Sequence, residues 1–186
     1  MTSDKPLLSV VIPTMGRPIL ILTVESLLLT KFASMEILVC GKIPDTVVAG
    51  QLQQLVDENE CVHHFTIQYE TGDSSRKKNH GAECARADIV AFLDDDVVVA
   101  NNWSELVVGA FDDERVGLMS GPSLVPDDIS YSGRLAGLAL SSGAAGYVAE
   151  RYLKGGSKPR EVDWDRIIGC NAAYRKSVKS IIPWVL

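Results

Sequence analysis

Short apolar runs alternate with amphipathic stretches along the first two thirds of the chain. "LLSVVIP" at residues 7–13 and "MEILVCG" at residues 35–41 are rich in aliphatic residues and end at proline or glycine. Such runs are typical of strands buried on both faces. Between them, residues 17–32 place Pro18 where it can open a helix and space their leucines at helical intervals. The chain is therefore predicted to begin with a β-α-β unit.

The same alternation continues to about residue 125. A second helix is predicted over residues 45–60, although Val47, Val48 and Gly50 are poor helix formers. A third is predicted over residues 77–87, entered from the loop "TGDSSR". The other predicted elements are strands over residues 63–70, 88–93 and 116–125 and a helix over residues 102–113. This order predicts an α/β layer sandwich with a mostly parallel sheet.

Residues 132–160 interrupt the pattern because they are rich in Gly, Ser and Ala. We predict a mobile loop region there, with room for one helix, lying over the sheet. "IIGCNAAYRKSV" at residues 167–178 restores an ordered pattern. With 186 residues, 46% of them hydrophobic, the chain is long enough for one compact domain with a sizeable core.

Charge and cysteine content exclude several classes of protein. The formal net charge is -6, from 18 Lys and Arg against 24 Asp and Glu, so no nucleic-acid partner is expected. The segment contains no apolar run long enough to span a bilayer and no signal-peptide pattern at its start. Its four cysteines are widely separated and predict free thiols. We expect a cytoplasmic chain, either fully soluble or peripheral at the cytoplasmic face of the membrane.

Three consecutive carboxylates follow a predicted buried strand in "IVAFLDDDVVV", residues 89–99. If strand geometry persists, Asp94 and Asp96 point to one side and Asp95 to the other. A divalent cation such as Mg²⁺ or Mn²⁺ would relieve their repulsion and leave coordination positions for phosphate oxygens. The apolar residues 97–99 predict a second hydrophobic strand. The alternative is a solvated turn or helix cap after the strand.

Three segments together resemble a known family. "SVVIPTMGRP", "KNHGAECARADIVAFLDDD" and "GCNAAYRKSV" are similar, in this order, to motifs of family 2 glycosyltransferases with the GT-A fold. The resemblance implies a Rossmann-like α/β nucleotide-diphospho-sugar transferase fold with a mostly parallel central sheet flanked by helices. It implies a single domain over residues 1–186, with a nucleotide-binding half to about residue 100. The acceptor-side half, about 101–186, is expected to be incomplete at its C-terminus.

The same resemblance implies a hexosyltransferase-like enzyme that would move a sugar from a nucleotide-diphosphate sugar to an acceptor hydroxyl. The acceptor would be a carbohydrate or a lipid-linked molecule, and the reaction would be metal-dependent and inverting. Asp96, with Asp94, would hold Mn²⁺ or Mg²⁺, while Asp94 and Asp95 would lie near the nucleotide and sugar. Asp94 and Asp96 are thus the candidate catalytic residues.

Other positions carry supporting roles by resemblance. Pro13, Thr14 and Arg17 would line the nucleotide pocket, with an ordinary turn and a surface arginine as the alternative. The basic run "SSRKKN" lies beside a predicted helix start, where a diphosphate could bind, but a solvated basic face is equally compatible. Within that run, Lys78 and especially Asn79 are the donor-binding candidates.

The acceptor side would be formed by Gly169, Asn171 and Arg175, with a structural strand and turn as the alternative.

Two departures from the family pattern limit these expectations. The second strand ends in Cys40, Gly41 and Lys42 where the family usually has acids that contact the base, so the nucleotide base cannot be assigned. The acidic motif that supplies the catalytic base in inverting members is expected beyond Leu186. The competing hypothesis is therefore a non-catalytic nucleotide-sugar-binding module or an inactive fragment. A dinucleotide-binding oxidoreductase is disfavoured because no GxGxxG follows the first strand.

Overall fold

A six-stranded sheet forms the centre of the molecule. The computed structural model describes residues 5–67, 73–126, 129–153, 159–163, 166–167 and 169–181. The strands are β1 (Leu8–Pro13), β2 (Met35–Cys40), β3 (Val62–Phe65), β4 (Ile89–Leu93), β5 (Leu118–Ser120) and β6 (Asn171–Arg175). The helices are α1 (Ile19–Leu29), α2 (Thr46–Glu58), α3 (Ser74–Cys84), α4 (Trp103–Ala110) and α5 (Tyr131–Leu140). Gly143–Arg151 and Lys176–Ile181 form 3₁₀ segments.

The sheet order is β3-β2-β1-β4-β6-β5. The first four of these strands run parallel, whereas β6 is antiparallel to both of its neighbours, β4 and β5. The predicted α/β fold with a mostly parallel sheet and flanking helices is confirmed. Because β6 runs backwards, Asn171 pairs with Leu93 and Arg175 pairs with Ile89. The start of β6 therefore lies beside the carboxyl end of β4, and its end lies at the opposite edge of the sheet.

Both faces of the sheet are covered, as the uninterrupted apolar strands predict. On one face, Val10 and Ile12 of β1 belong to a core with the buried leucines of α1 and α2. On the other face, Val11 belongs to a smaller core with Tyr174 of β6 and with α3. Helix α3 lies close to β1 at Gly81, where an added Cβ would overlap the side chain of Val11. This close approach packs the second half of α3 directly against β1.

Several boundaries differ from the sequence predictions. Strand β3 ends at Phe65, five residues before the predicted end, and residues 68–70 lie outside the described residues. Helix α3 begins at Ser74, three residues early, because the Asp73 side chain caps it by accepting from the backbone N–H of Arg76. Strand β5 is limited to Leu118–Ser120.

One local prediction is wrong, and another is only partly right. Residues 97–99 are not a strand, so the predicted second hydrophobic strand is wrong. The described part of residues 132–160 is mostly helical, with α5 followed by a 3₁₀ segment that is kinked at Gly146. None of the helices in the described residues is both long and apolar enough to cross a membrane.

Candidate active site

The acidic triplet lies in a turn immediately after β4. The chain leaves strand geometry at Asp94, and Asp95 and Asp96 occupy the turn itself. As a result the strand alternation expected for the three side chains does not apply. Asp95 is 4% exposed, while the side chains of Asp94 and Asp96 are 43% and 47% exposed. The middle acid is thus directed into the protein and the outer two remain accessible.

Asp95 holds the loop that follows β1. Its Oδ2 accepts a hydrogen bond of 2.6 Å from the Thr14 hydroxyl and one of 3.3 Å from the backbone N–H of Met15. The Thr14 hydroxyl oxygen in turn accepts from the backbone N–H of Gly16 at 2.9 Å. These bonds connect the ends of two neighbouring parallel strands, β1 and β4. Both side chains, Asp95 and Thr14, are buried, so the bonds are shielded from water.

Arg17 bridges two of the three acids. Its Nη2 donates to Oδ1 of Asp95 and, at 3.1 Å, to Oδ2 of Asp96. The hydrogen bond with Asp95 raises the pKa of Arg17 above its ordinary value, so the guanidinium stays charged. The repulsion within the triplet is therefore offset in part by a cation that the chain itself supplies.

Helix α3 contributes two lysines to the same region. Lys77 is only 6% exposed, and its Nζ donates to the backbone carbonyl of Thr14 at 2.9 Å. Lys78 donates to the carbonyl of Gly169 at 2.9 Å and lies 3.5 Å from Oδ1 of Asp94. Sequence reasoning did not single out Lys77. Its spacing of four from Gly81 places both on the buried face of α3, which was the available signal.

A cavity of about 380 Å³ opens where these elements meet. It is lined by Pro13, Thr14, Met15, Arg17, Asp73, Ser74, Lys77, Asp94, Asp95 and Asp96. The cavity thus lies at the carboxyl ends of β1 and β4 and at the N-terminus of α3. Open α/β sheets bind ligands at this edge, and the exposed N–H groups of a helix start favour an anion. The lining combines the carboxylates of the acidic turn and of Asp73 with two positive side chains, Arg17 and Lys77.

The carboxylates fit a divalent cation that takes some of its ligands from the protein and the rest from a bound anion. Among the described residues, no group of three or more His, Cys, Asp and Glu side chains converges as a complete metal site. Asp94 and Asp96 nevertheless present accessible carboxylates on the cavity wall. Mg²⁺ is commonly held by one or two carboxylates together with phosphate oxygens and water. Asp95 is less suited, because its oxygens already accept hydrogen bonds from Thr14, Met15 and Arg17.

Asn79 is not among the residues that line the cavity. Its Oδ1 is buried and has no hydrogen-bond partner among the described residues.

The acceptor-side candidates separate along β6. Gly169 lies close to the acidic turn through its carbonyl bond with Lys78. Asn171 also lies at that end, but its amide is engaged by the indole N–H of Trp103 at 3.1 Å and the carbonyl of Pro122 at 3.2 Å.

Arg175 lies at the other end of β6. Its guanidinium donates to the carbonyls of Phe111 and Val116 and packs over the Phe111 ring. This position argues against the predicted acceptor-side role of Arg175, because the antiparallel direction of β6 carries it away from the cavity.

Comparison with known proteins identifies the family of the chain and solved structures that share its fold. The family model described as "Glycosyl transferase family 2" matches residues 9–181. The mannosyltransferase PcManGT from Pyrobaculum calidifontis, solved with GDP-Man and Mn²⁺, superposes with a TM-score of 0.60 at 12% identity. That match covers 97% of this chain and 48% of PcManGT. No curated protein matches the chain.

A second group of solved structures comes from S. aureus TarS. Residues 1–349 of TarS in complex with UDP-GlcNAc superpose with a TM-score of 0.53 at 17% identity. The match covers 66% of this chain and 36% of the TarS segment. The chain thus spans about half the length of PcManGT and about a third of the TarS segment. At these identities the two structures show a shared fold.

Proposed function

Because the chain belongs to glycosyltransferase family 2, we propose that its cavity binds a nucleotide-diphosphate sugar and that the sugar is transferred to an acceptor hydroxyl. The observation that carries this proposal is the presence of acidic and basic side chains in the lining of one cavity. The accessible carboxylates of Asp94 and Asp96 line it together with Lys77 and the N-terminus of α3. In a bound diphosphate with its divalent cation, the cation would face the carboxylates and the diphosphate would face the positive groups.

In the proposed donor complex, Asp96 and Asp94 hold Mn²⁺ or Mg²⁺. The bound cation would supply Lewis-acid stabilisation of the charge that develops on the departing nucleoside diphosphate. PcManGT, which shares the fold, was solved with both Mn²⁺ and a nucleotide sugar. Lys77 and the first N–H groups of α3 then face the phosphates.

The protein's own groups fix the position of the donor. Asp95 is buried and fixed to Thr14, so it keeps the end of β1 and the acidic turn at a constant separation. Pro13 and Thr14 line the nucleotide side of the cavity. Lys78 joins the acidic turn to Gly169, and in the proposed complex the segment before β6 lies next to the sugar. We assign these residues to donor positioning.

The finer parts of the proposal concern stereochemistry, acceptor and location. We propose a hexosyl transfer with inversion to a carbohydrate or lipid-linked acceptor. A cytoplasmic location is also part of the proposal, because the four cysteines are free thiols and persist in a reducing compartment. A second candidate is a module that binds nucleotide sugars without transferring them.

Calorimetric titration with GDP-mannose and UDP-GlcNAc, with and without Mn²⁺, tests the proposal. Wild-type protein should bind at least one donor more tightly with Mn²⁺. The Asp96→Ala variant should lose this metal-dependent gain, by about tenfold or more, because one cation ligand is removed. Asp113→Ala is the matched control, since Asp113 is an acid outside the cavity that pairs with Arg115.

Donor affinity that is unchanged in Asp96→Ala, in protein shown to be folded by circular dichroism, would contradict the assignment. Release of free nucleoside diphosphate from the bound donor separates the two candidates. Turnover supports the transferase, and metal-dependent binding without turnover supports the binding module.

A further inference from the structure

Each acid of the triplet has a basic partner within the chain. Arg17 contacts Asp95 and Asp96, and Lys78 approaches Asp94. Two basic side chains, Arg17 and Lys78, therefore offset part of the three adjacent negative charges before any metal or donor is present. A cation that is to be held by Asp96 must consequently compete with Arg17.

The two contacts of Arg17 differ in environment. Asp95 is buried and has two further hydrogen bonds, from Thr14 and Met15. Asp96 has a half-exposed side chain, and Arg17 is its one hydrogen-bond partner among the described residues. An exposed ion pair is weakened by water and salt far more than a buried one. Of the two contacts of Arg17, the one with Asp96 therefore costs less free energy to break.

The backbone around Arg17 is fixed although its side chain is half exposed. Gly16, the preceding residue, has φ of 79° and lies so close to Ile43 and Pro44 that an added Cβ would be 2.8 Å from each. Helix α1 starts directly afterwards, with Pro18 at its N-cap. Reorientation at this position is thus a matter of the Arg17 side chain, whose exposed fraction is 53%.

We propose that Arg17 is a resident counter-ion that exchanges partners when the donor binds. This inference rests on the proposed function. Arg17 releases Asp96 to the divalent cation and turns part of its guanidinium toward the diphosphate, while its bond with Asp95 keeps it at the cavity wall. The planar guanidinium can pair with either a carboxylate or a phosphate. Since the cation and the diphosphate carry opposite charges, the exchange leaves the charge balance of the cavity nearly unchanged.

Two affinities should change in opposite directions when Arg17 is replaced. In Arg17→Gln, Mn²⁺ alone should bind about fivefold tighter, because Asp96 no longer has a competing cation. GDP or UDP in the presence of Mg²⁺ should bind about tenfold weaker, because a phosphate partner is lost. Arg115→Gln is the matched control, since Arg115 also pairs with an aspartate, Asp113, but lies outside the cavity. It should change neither affinity.

The opposite signs exclude a merely structural effect, because a damaged pocket would weaken both ligands. Mn²⁺ binding that is equal or weaker in Arg17→Gln, or undetectable in both proteins, overturns the exchange. Nucleotide affinity that is unchanged overturns it as well.

Wild-type protein provides a test that does not depend on the variant folding. The Nε–Hε NMR signal of Arg17 should shift when Mg²⁺ is added, and shift again on addition of GDP or UDP, whereas the Arg115 signal should stay in place. An Arg17 signal that is unmoved at saturating ligand overturns the exchange. If wild-type protein binds neither metal nor nucleotide, the proposed function itself fails. If it binds both normally but Arg17 does not respond, only the exchange fails.

Discussion

The donor half, residues 5–120, contains the cavity that we propose binds the donor. It is built differently from the segment between residues 121 and 170. Every residue of β1, β2 and β4 is buried. Among the described residues from 121 to 170, only Gly137 and Ala149 are buried. Leu135, Leu138 and Leu153 in that segment are 49%, 67% and 49% exposed. The donor half is stabilised by its own core, whereas the later segment gains little from burial.

The two regions also offer different surfaces. The cavity proposed for the donor is charged, with four acids, Asp73 and Asp94 to Asp96, and two basic residues, Arg17 and Lys77, in its lining. A second cavity, of about 450 Å³, lies in the later segment and is lined by Leu124, Val125, Pro126, Arg134, Gly137, Leu138, Ser141 and Tyr152. Its lining is largely apolar. The charged chemistry that we assign to donor binding is thus carried by the well-packed half, where positions can be held to within a few tenths of an ångström.

Replacing one leucine in each region should give the largest difference. Leu27→Ala in α1 removes a side chain with 0% exposure and should lower the free energy of unfolding by about 2–5 kcal/mol. Leu138→Ala in α5 removes one that is 67% exposed and should change it by less than about 0.5 kcal/mol. Urea denaturation followed by circular dichroism measures both. Equal losses would show that α5 is packed as tightly as α1.

Two helical glycines that face valines allow a finer test. An added Cβ at Gly81 would lie 3.0 Å from Sγ of Cys40 and overlap Val11 in the central strand. Gly81→Ala should therefore cost about 1–3 kcal/mol of unfolding free energy. At Gly137 the added Cβ would lie 2.5 Å from Cγ2 of Val125, a partly buried side chain outside the sheet.

Gly137→Ala should be close to neutral, because Val125 can move and alanine favours the helix by about 1 kcal/mol. Thermal unfolding of the two variants decides the point. A larger loss at Gly137 than at Gly81 would reverse the ranking of the two regions.

The donor half was predictable because its signals are local. Apolar runs that end at proline, glycine or aspartate located β1, β2 and β4 to within one or two residues. The position of the acidic triplet at a strand end followed directly. The arrangement of the acids did not, because it depends on Thr14 and Arg17, about 80 residues away in sequence.

Long-range topology explains the remaining failures. The direction of β6 cannot be read from "NAAYR", yet it decides that Asn171 lies near the acidic turn and Arg175 at the other edge of the sheet. The burial of Lys77 depends in the same way on the carbonyl of Thr14, directly after the first strand. In the later segment, the composition predicted a loop region with room for one helix, and α5 forms there with Ser130 as its N-cap. Periodicity over so short a stretch of small residues gives a weak signal.

The smallest predicted difference between the two regions concerns two carboxylates, Glu36 and Glu150. This difference depends on pH. Glu36 of β2 is 1% exposed. Burial alone would raise its pKa, but hydrogen bonds from the Ser9 hydroxyl and from the backbone and side chain of Arg86 outweigh this and lower it below the ordinary value of 4.5. Glu150, in the later segment, accepts hydrogen bonds from Arg166 and Arg160, and these bonds also lower its pKa. The Glu150 side chain is 34% exposed, so its ion pairs are more accessible to water than those of Glu36.

For a carboxylate whose pKa is lowered by folding, the stabilisation is complete above the ordinary pKa and is lost as the pH falls through the lowered value. Glu36→Gln should therefore lower the unfolding free energy by about 1 kcal/mol at pH 7 and flatten its decline below pH 4.5. Glu150→Gln should have a smaller effect, and one that disappears in high salt, because exposed ion pairs are screened. Urea titrations of both variants at several pH values measure this. A larger acid response in Glu150→Gln would mean that the later segment is stabilised by charge as strongly as the donor half is by its buried bonds.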